Sequence, residues 1–228
     1  MNSYTFSSIL EVNGKTKNID INQAFCIGYS GRDKEKTMAH IKELAEIGVP
    51  EPAEIPALFP VGINTVTQED VMEVIGDETS GEAEIVLVFG NTADEVYLTV
   101  GSDHTDRALE TVDINKSKQV CGKPFAKKAW IARNLKQHWD QLVLSSAVRI
   151  DGKWQQYQSA PIASIIDFNE IKRFLIEKNI ECTNCIVFCG TVPLQDGFKF
   201  GDSFYMKLED PVHDDSISAE YKIKNILR

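Results

Sequence analysis

The chain has 228 residues, 43% hydrophobic and 25% charged, with a formal net charge of −10 and no internal repeat or low-complexity tract, which is the make-up of an ordinary globular protein with a substantial core. The acidic surplus argues against nucleic-acid binding, which needs a clustered positive surface. The basic residues Lys123, Lys127, Lys128 and Arg133 read as a solvated polar face.

No run of 18 apolar residues suits a membrane span. The opening MNSYTFSSILEVNG lacks the basic start and apolar stretch of a signal peptide. Five cysteines, an odd number without an export signal, point to reduced thiols in a cytoplasmic protein. Three of them cluster as Cys182, Cys185 and Cys189. A zinc or redox site would suit the spacing, but no fourth ligand stands nearby and CIVFCG reads as a buried strand, so they are read as structural thiols.

In chain order, residues 4–12 and 17–21 flank Asn13-Gly14 as a hairpin, and Ala24 to Gly28 is a short apolar strand. A helix is predicted from Lys34 to Ile47, with Met38, Ile41, Leu44 and Ala45 on one face and Gly48 and Pro50 at its end. The proline-rich VPEPAEIPALFP is an irregular packed loop. EAEIVLVFG and EVYLTVGS are two strands joined near Asn91, and residues 125–140 read as helical. LVLSSAVRI and KWQQYQS form a second hairpin about Asp151-Gly152. IIDFNEIKRFLIEKN is an amphipathic helix capped by Asp167; CIVFCG and DSFYMKLED are strands. Many short strands with inserted helices and no regular βαβ alternation predict an α+β, mainly β fold, a mixed β-sandwich or roll. A doubly wound sheet is the weaker alternative, because no glycine-rich strand-to-helix turn is present.

The chemistry begins at Glu82-Ala-Glu84. On a strand both acids point the same way, while Ala83, Ile85 and Leu87 form the opposite, apolar face. Two neighbouring carboxylates repel each other unless a positive charge lies between them. The next strand runs into Asp103-His-Thr-Asp106-Arg107, and a third carboxylate completes an all-oxygen set suited to a hard ion such as Mg²⁺, or Mn²⁺ or Ca²⁺. His40 and Glu43, three apart on the first helix, are neighbours on one face. His104 should point away from Asp103, and His138 and His213 have no constellation around them.

Taken together, these motifs resemble the fumarylacetoacetate hydrolase superfamily. Its ExE strand and following D-x-[ST]-x-R match Glu82, Glu84, Asp103, Thr105 and Arg107. Phe25 to Gly28, His40 and Glu43 with the proline-rich loop look like the lid and its HxxE pair. Lys118 and Pro124 resemble the K…P segment, Val148 to Gly152 with Gln155 and Gln156 the V-N-G-x-x-x-Q hairpin, and Ile186 to Pro193 with Phe200-Gly201-Asp202 the TGTPxG…PGD terminus. The match spans about residues 24 to 210. It departs in a longer Gly28-to-His40 interval without the usual Asn-Tyr, a shorter Glu84-to-Asp103 interval, and Glu110 where glutamine is common.

The resemblance implies one catalytic domain over residues 1–228, with an N-terminal hairpin (1–23) and a lid segment (24–60) whose helix covers the pocket mouth. It implies a homodimer and a metal-dependent hydrolase that cleaves a C–C bond in a small, acylpyruvate-like oxo-acid. In that scheme Glu82, Glu84 and Asp103 hold the metal, His40 oriented by Glu43 activates water, and Lys118 (or, on spacing alone, Lys116) stabilises an enolate. Thr191 binds the substrate carboxylate, Arg32 and Arg107 are cationic partners, and Glu110 replaces a donor by an acceptor. A decarboxylase, hydratase or isomerase using the same metal–enolate chemistry is the alternative. A non-catalytic ligand-binding member of the fold is the third reading.

Overall fold

A computed structural model describes residues 4–46 and 48–227. Residues 1–3 of the expected N-terminal hairpin segment and Ile47, the expected last residue of the first helix, lie outside them. The fold is the mixed, mainly β architecture expected, built on two sheets. A six-stranded sheet runs in the order Trp130–Ile131, Val96–Ser102, Ala83–Phe89, Cys185–Thr191, Gln23–Gly28 and Ala57–Val61. Its pairs are antiparallel except Cys185–Thr191 with Gln23–Gly28. The five-stranded sheet runs Lys153–Pro161, Val143–Ile150, Ser203–Asp210, Asp215–Asn225 and Val71–Val74.

The alternation of side chains along Ala83–Phe89 explains the layering. Ala83, Ile85, Leu87 and Phe89 join Leu144, Val148, Phe204, Met206, Leu208 and Ile217 in the core between the sheets. Val86 and Val88 face the other way, with Ile186 and Phe188, and pack against Leu10, Val12, Ile19 and Ile21 of the N-terminal hairpin Phe6–Val12/Lys15–Ile21. The strand is therefore buried on both faces, which its near-continuous apolar run requires. Glu84 is on the hairpin side of that strand, at the end of an otherwise apolar row.

Both sequence-predicted hairpin turns form, and Asp151 and Gly152 sit at φ 50° and 75°, the paired positive angles of a type I′ turn. The first described helix is Lys34–Glu46. The later one, Phe168–Glu177, starts at Asp167 in a reciprocal cap with Glu170, so its first amides are satisfied by side chains. Three expectations are corrected. Residues 125–140 are a short edge strand, Trp130–Ile131, and two 3₁₀ turns rather than a helix, because their apolar side chains follow the end of the core instead of a 3.6-residue stripe. The end of the proline-rich loop is the edge strand Ala57–Val61, where a proline is tolerated because one side of the ladder is unpaired. Lys123 is no surface residue: it is completely buried and donates to the carbonyls of His104 (2.7 Å), Cys121 (3.0 Å) and Lys118. The five cysteines are free and buried, as structural thiols should be. Burial pushes Cys185 up to about 12, so it carries no reactive thiolate at neutral pH.

Gly101 lies opposite Glu84 in the ladder, and a Cβ there would come within 2.7 Å of both Phe188 and Val86 and 3.0 Å of the Pro124 carbonyl. Gly101→Ala is therefore expected to lower stability by about 1–3 kcal/mol, read as a reduced urea midpoint with unchanged slope.

Candidate active site

The turn between strands brings the acids together through the backbone. Ala83 pairs with Ser102 and Glu84 with Gly101, and the Asp103 amide donates to the Glu82 carbonyl at 3.0 Å. Glu84 and Asp103 are buried and Glu82 is partly exposed. Each carboxylate has its own partner. Asp103 Oδ2 accepts from Lys118 Nζ at 2.5 Å and its Oδ1 is 3.5 Å from Lys123 Nζ. Glu84 Oε2 accepts from the Gly190 amide at 3.0 Å. Glu82 Oε2 lies 3.4 Å from Arg107 Nη2.

The charges of the cluster do not cancel. The carboxylates of Glu82, Glu84, Asp103 and Glu110 face the cations Arg107, Lys118 and Lys123, leaving one negative charge in excess when all are ionised. That excess falls on Glu84: burial, then Asp103 and Glu82, push its carboxyl well above the usual range, against Lys118 and the Gly190 amide. Burial acts the same way on Asp103, but Lys118 and Lys123 outweigh it and hold Asp103 at about 2. Burial pulls the Lys118 ammonium down, and Asp103 with further acids more than restores it, so Lys118 stays protonated.

The donor chemistry suits a hard divalent ion: carboxylate oxygens, two of the acids out of water, and a carboxyl at Glu84 that only a proton or a further cation can balance. In this arrangement the three carboxylates are not drawn around one point. Among the described residues, the one group of three whose ligand atoms all lie within 4.8 Å is His138, Asp210 and His213. The expectation that these histidines stand alone is thus corrected, since Asp210 arrives from a strand 72 positions beyond His138 and no local spacing announces it.

Lys118, not Lys116, faces the acids; Lys116 is exposed and pairs at 2.9 Å with Asp113, the cap of its own helix. Arg107 is buried and donates to Glu110 Oε2 (2.9 Å) and Ser80 Oγ (2.7 Å) besides Glu82. Arg107 and Glu110 therefore sit in the cluster as a mutually satisfied pair. Thr191 Oγ1 donates to the Ala83 carbonyl (2.6 Å) and accepts from Gln158 Nε2 (2.5 Å). Arg32 lies elsewhere, in a two-bond clasp with Asp140 at 2.8 and 2.5 Å. His40 and Glu43 pair at 3.6 Å on the outer face of the helix, with side chains 62% and 74% exposed.

Several residues of the site carry no sequence signal that reasoning from motifs would catch. Tyr29, at φ 57°, has its phenol pushed up by burial and then by Glu110 and Glu82, while Lys118 pulls it down, which places it among the charged groups. The Phe59 ring lies 5.6 Å from Lys118 Nζ and the Phe198 ring 4.3 Å from the Arg107 guanidinium, giving the cluster apolar walls. Gln158, rather than the exposed Gln155 and Gln156, is the buried glutamine of the hairpin. Its Oε1 accepts from the Ala83 amide (2.9 Å) and Ser146 (2.7 Å).

The family model described as "Protein of unknown function (DUF2848)" matches residues 27–221. None of the curated proteins matches the sequence. Among solved structures, Cg1458 superposes with a TM-score of 0.66 at 17% identity, over 97% of this chain and 89% of that one. A 2-keto-3-deoxy-D-arabinonate dehydratase complexed with magnesium and 2,5-dioxopentanoate gives 0.61 at 16%, over 93% and 85%. Fumarylpyruvate hydrolase from Pseudomonas aeruginosa in complex with Mn²⁺ and pyruvate gives 0.58 at 15%, over 96% and 96%. The enzymes among them are members of the fumarylacetoacetate hydrolase superfamily, and at these identities the likeness is one of fold.

Glu84 yields a pH prediction. Between the ordinary glutamate value of 4.5 and its raised folded value, the folded chain keeps a proton that the unfolded chain has lost, so stability falls as pH rises. Without divalent ions, Glu84→Gln should be more stable than wild type at about pH 8, with the advantage gone below about pH 4. Thermal melts across that range check it, and an advantage that is independent of pH would contradict it.

Proposed function

The chain belongs to the DUF2848 family, and from its site we propose a divalent-metal-dependent enzyme acting on a small oxo-acid through an enolate, in a soluble homodimer. The observation that carries this reading is the gathering of Glu82, Glu84 and Asp103 with the Lys118 ammonium, the last two acids buried and more acids present than cations to balance them. Two structures of similar fold were solved with a divalent metal and a small oxo-acid, 2,5-dioxopentanoate in one and pyruvate in the other. None of the described helices is long and apolar enough to cross a membrane.

In this reading Glu82, Glu84 and Asp103 hold Mg²⁺, Mn²⁺ or Ca²⁺. The ion when bound supplies Lewis-acid polarisation of the oxo group. The chain's own residues supply the rest. Lys118 keeps one N–H on Asp103 and has two more donors with which to steady an oxygen that gains negative charge. It stays an electrostatic partner rather than a base, because the acids around it favour the ammonium. Arg107, clasped by Glu110 and Ser80, positions Glu82. The Thr191 hydroxyl donates to Ala83 and accepts from Gln158, so to bind a substrate carboxylate it would turn its O–H from Ala83 to the incoming oxygen.

Two reactions compete for this machinery. Cleavage of a C–C bond by water needs a general base, the role given to His40 with Glu43. The exposure of that pair favours the second reading, in which dehydration, decarboxylation or isomerisation proceeds on the enolate without the dyad. The test is a panel of 2-oxo and 2,4-dioxo acids with Mg²⁺ or Mn²⁺. Asp103→Ala is expected to abolish metal binding and turnover together. His40→Ala should spare metal binding and lower hydrolysis by about 10²–10⁴, while leaving a dehydratase or decarboxylase activity intact. No turnover on the panel by a metal-loaded protein would favour a non-catalytic ligand-binding role. Sedimentation at micromolar concentration checks the dimer, and a monomer would remove it from the proposal.

Lys118→Ala is expected to cost about 3–5 kcal/mol, since it leaves Asp103 buried short of its nearest cation. Denaturant melts with and without Mn²⁺ measure this; a loss below about 1 kcal/mol would mean that Lys123 alone balances Asp103.

A further inference from the structure

Away from the carboxylate cluster, the strand Ser203–Asp210 ends in a second set of ligand-type side chains. We propose that His138, Asp210 and His213 form a binding site for a borderline-soft transition-metal ion of the Zn²⁺ class. The three are gathered by the fold: Asp210 closes its strand, His213 sits in the turn that leads to Asp215–Asn225, and His138 comes from the segment between the two 3₁₀ turns. Asp210 Oδ2 lies 2.9 Å from His138 Nε2 and 2.7 Å from His213 Nδ1, and all three atoms are within 4.8 Å of one another.

The carboxylate is preset. The amides of Val212 and His213 donate to Oδ1 at 3.0 and 3.3 Å, which turns Oδ2 toward the imidazoles. His138 and Asp210 are buried, whereas the His213 side chain is 60% exposed. The imidazole rings meet edge to face, with centroids 4.9 Å apart at 66°.

Without a metal, both imidazoles must spend an N–H on a single carboxylate oxygen. A cation takes their place when each neutral ring carries its proton on its other nitrogen, Nδ1 of His138 and Nε2 of His213, so that the same atoms present two neutral imidazole lone pairs and a carboxylate oxygen. That donor set suits Zn²⁺ and its neighbours rather than Mg²⁺. Ligand atoms around a tetrahedral ion at about 2.0–2.1 Å stand roughly 3.3 Å apart, so the present contacts need to open by about half an ångström. The exposed His213 supplies that movement, and the solvent side leaves room for a water ligand. The site is separate from the carboxylate cluster. Seven residues of strand, roughly 23 Å, divide Asp210 from Ser203, whose neighbour Phe204 pairs with Tyr221, and the Tyr221 hydroxyl in turn touches Ser102 and His104. A metal here would tie the last hairpin's turn to the 132–141 segment at the end of the core, with no part in the reaction.

The test uses Zn²⁺ alone, titrated calorimetrically into the full chelator-stripped protein, on wild type, His213→Ala and Glu84→Gln. His213→Ala changes an exposed side chain and keeps the fold. The expected result is one Zn²⁺ equivalent that Glu84→Gln retains. His213→Ala should weaken it by more than about 100-fold, beyond the 10–100-fold typical of removing a residue that only supports a ligand. The ring ¹⁵N signals of His138 and His213 should shift together on Zn²⁺ addition. No equivalent in wild type, equal affinity in His213→Ala, loss in Glu84→Gln with none in His213→Ala, or unmoved ring signals would each overturn the proposal.

Discussion

A carboxylate taken out of water must meet positive charge, and the packing at Asp103 is arranged around that requirement. Lys118 reaches it from a short helix and Lys123 from the segment beyond, with Lys123 itself held by three backbone carbonyls. A lysine gripped in that way is less a mobile side chain than a fixed point of positive potential. The loop from 103 to 123 is thereby folded back on its own start. The same charge that settles Asp103 is too little to settle Glu84 as well, so the Glu84 carboxyl is pushed well above the usual range.

Rigid elements surround this imbalance. Glu84 ends a strand with neighbours on both sides, Gln158 ties the Ala83 amide to Thr191 and Val192 across the sheets, and Arg107 is clasped by two acids and a serine. Gly190 completes the frame. At φ 124° its amide reaches Glu84, and Ser30 Oγ occupies the place where a Cβ would stand, 1.8 Å away. Any side chain at 190 would therefore meet both backbone strain and a collision with the segment leading into the first helix. The segment leading into the first helix and the Glu84 carboxylate thus meet at one glycine.

Much of the fold was legible in the sequence where a local rule acts alone. The Asp151-Gly152 turn, the Asp167 cap and the apolar run 85–89 follow from backbone preferences and periodicity, and all three stand in the structure. The 125–140 region misled because its apolar residues answer to a distant core rather than to a helix of their own. Within the site, the neighbourhood of Glu84 and Asp103 was readable because consecutive antiparallel strands set Glu84 opposite Gly101, two residues before Asp103, whereas the convergence of three carboxylates on one point was not, since the side chains turn to separate partners. Lys118 could not be separated from Lys116 by spacing, since the choice depends on which side of a six-residue helix turns inward. Tyr29, Phe59, Phe198 and Gln158 were invisible for a common reason: their roles come from contacts that cross sheets or span more than 50 positions.

The parallel pairing of Cys185–Thr191 with Gln23–Gly28 sets the order in which the molecule is assembled. Cys185 stands opposite Gln23, 162 positions later in the chain. The early strand, with Phe25 and Ile27 on one face and Ala24 and Cys26 on the other, acquires that neighbour only after most of the polypeptide exists. At ribosomal speeds of about 5–20 residues per second the wait is on the order of ten seconds or more. One apolar face can meanwhile be covered by the N-terminal hairpin and the other edge paired by Ala57–Val61, both made from nearby sequence. Those two small elements thus limit the exposed part to a single edge, and a nascent chain deprived of either would present a stickier strand through most of its synthesis.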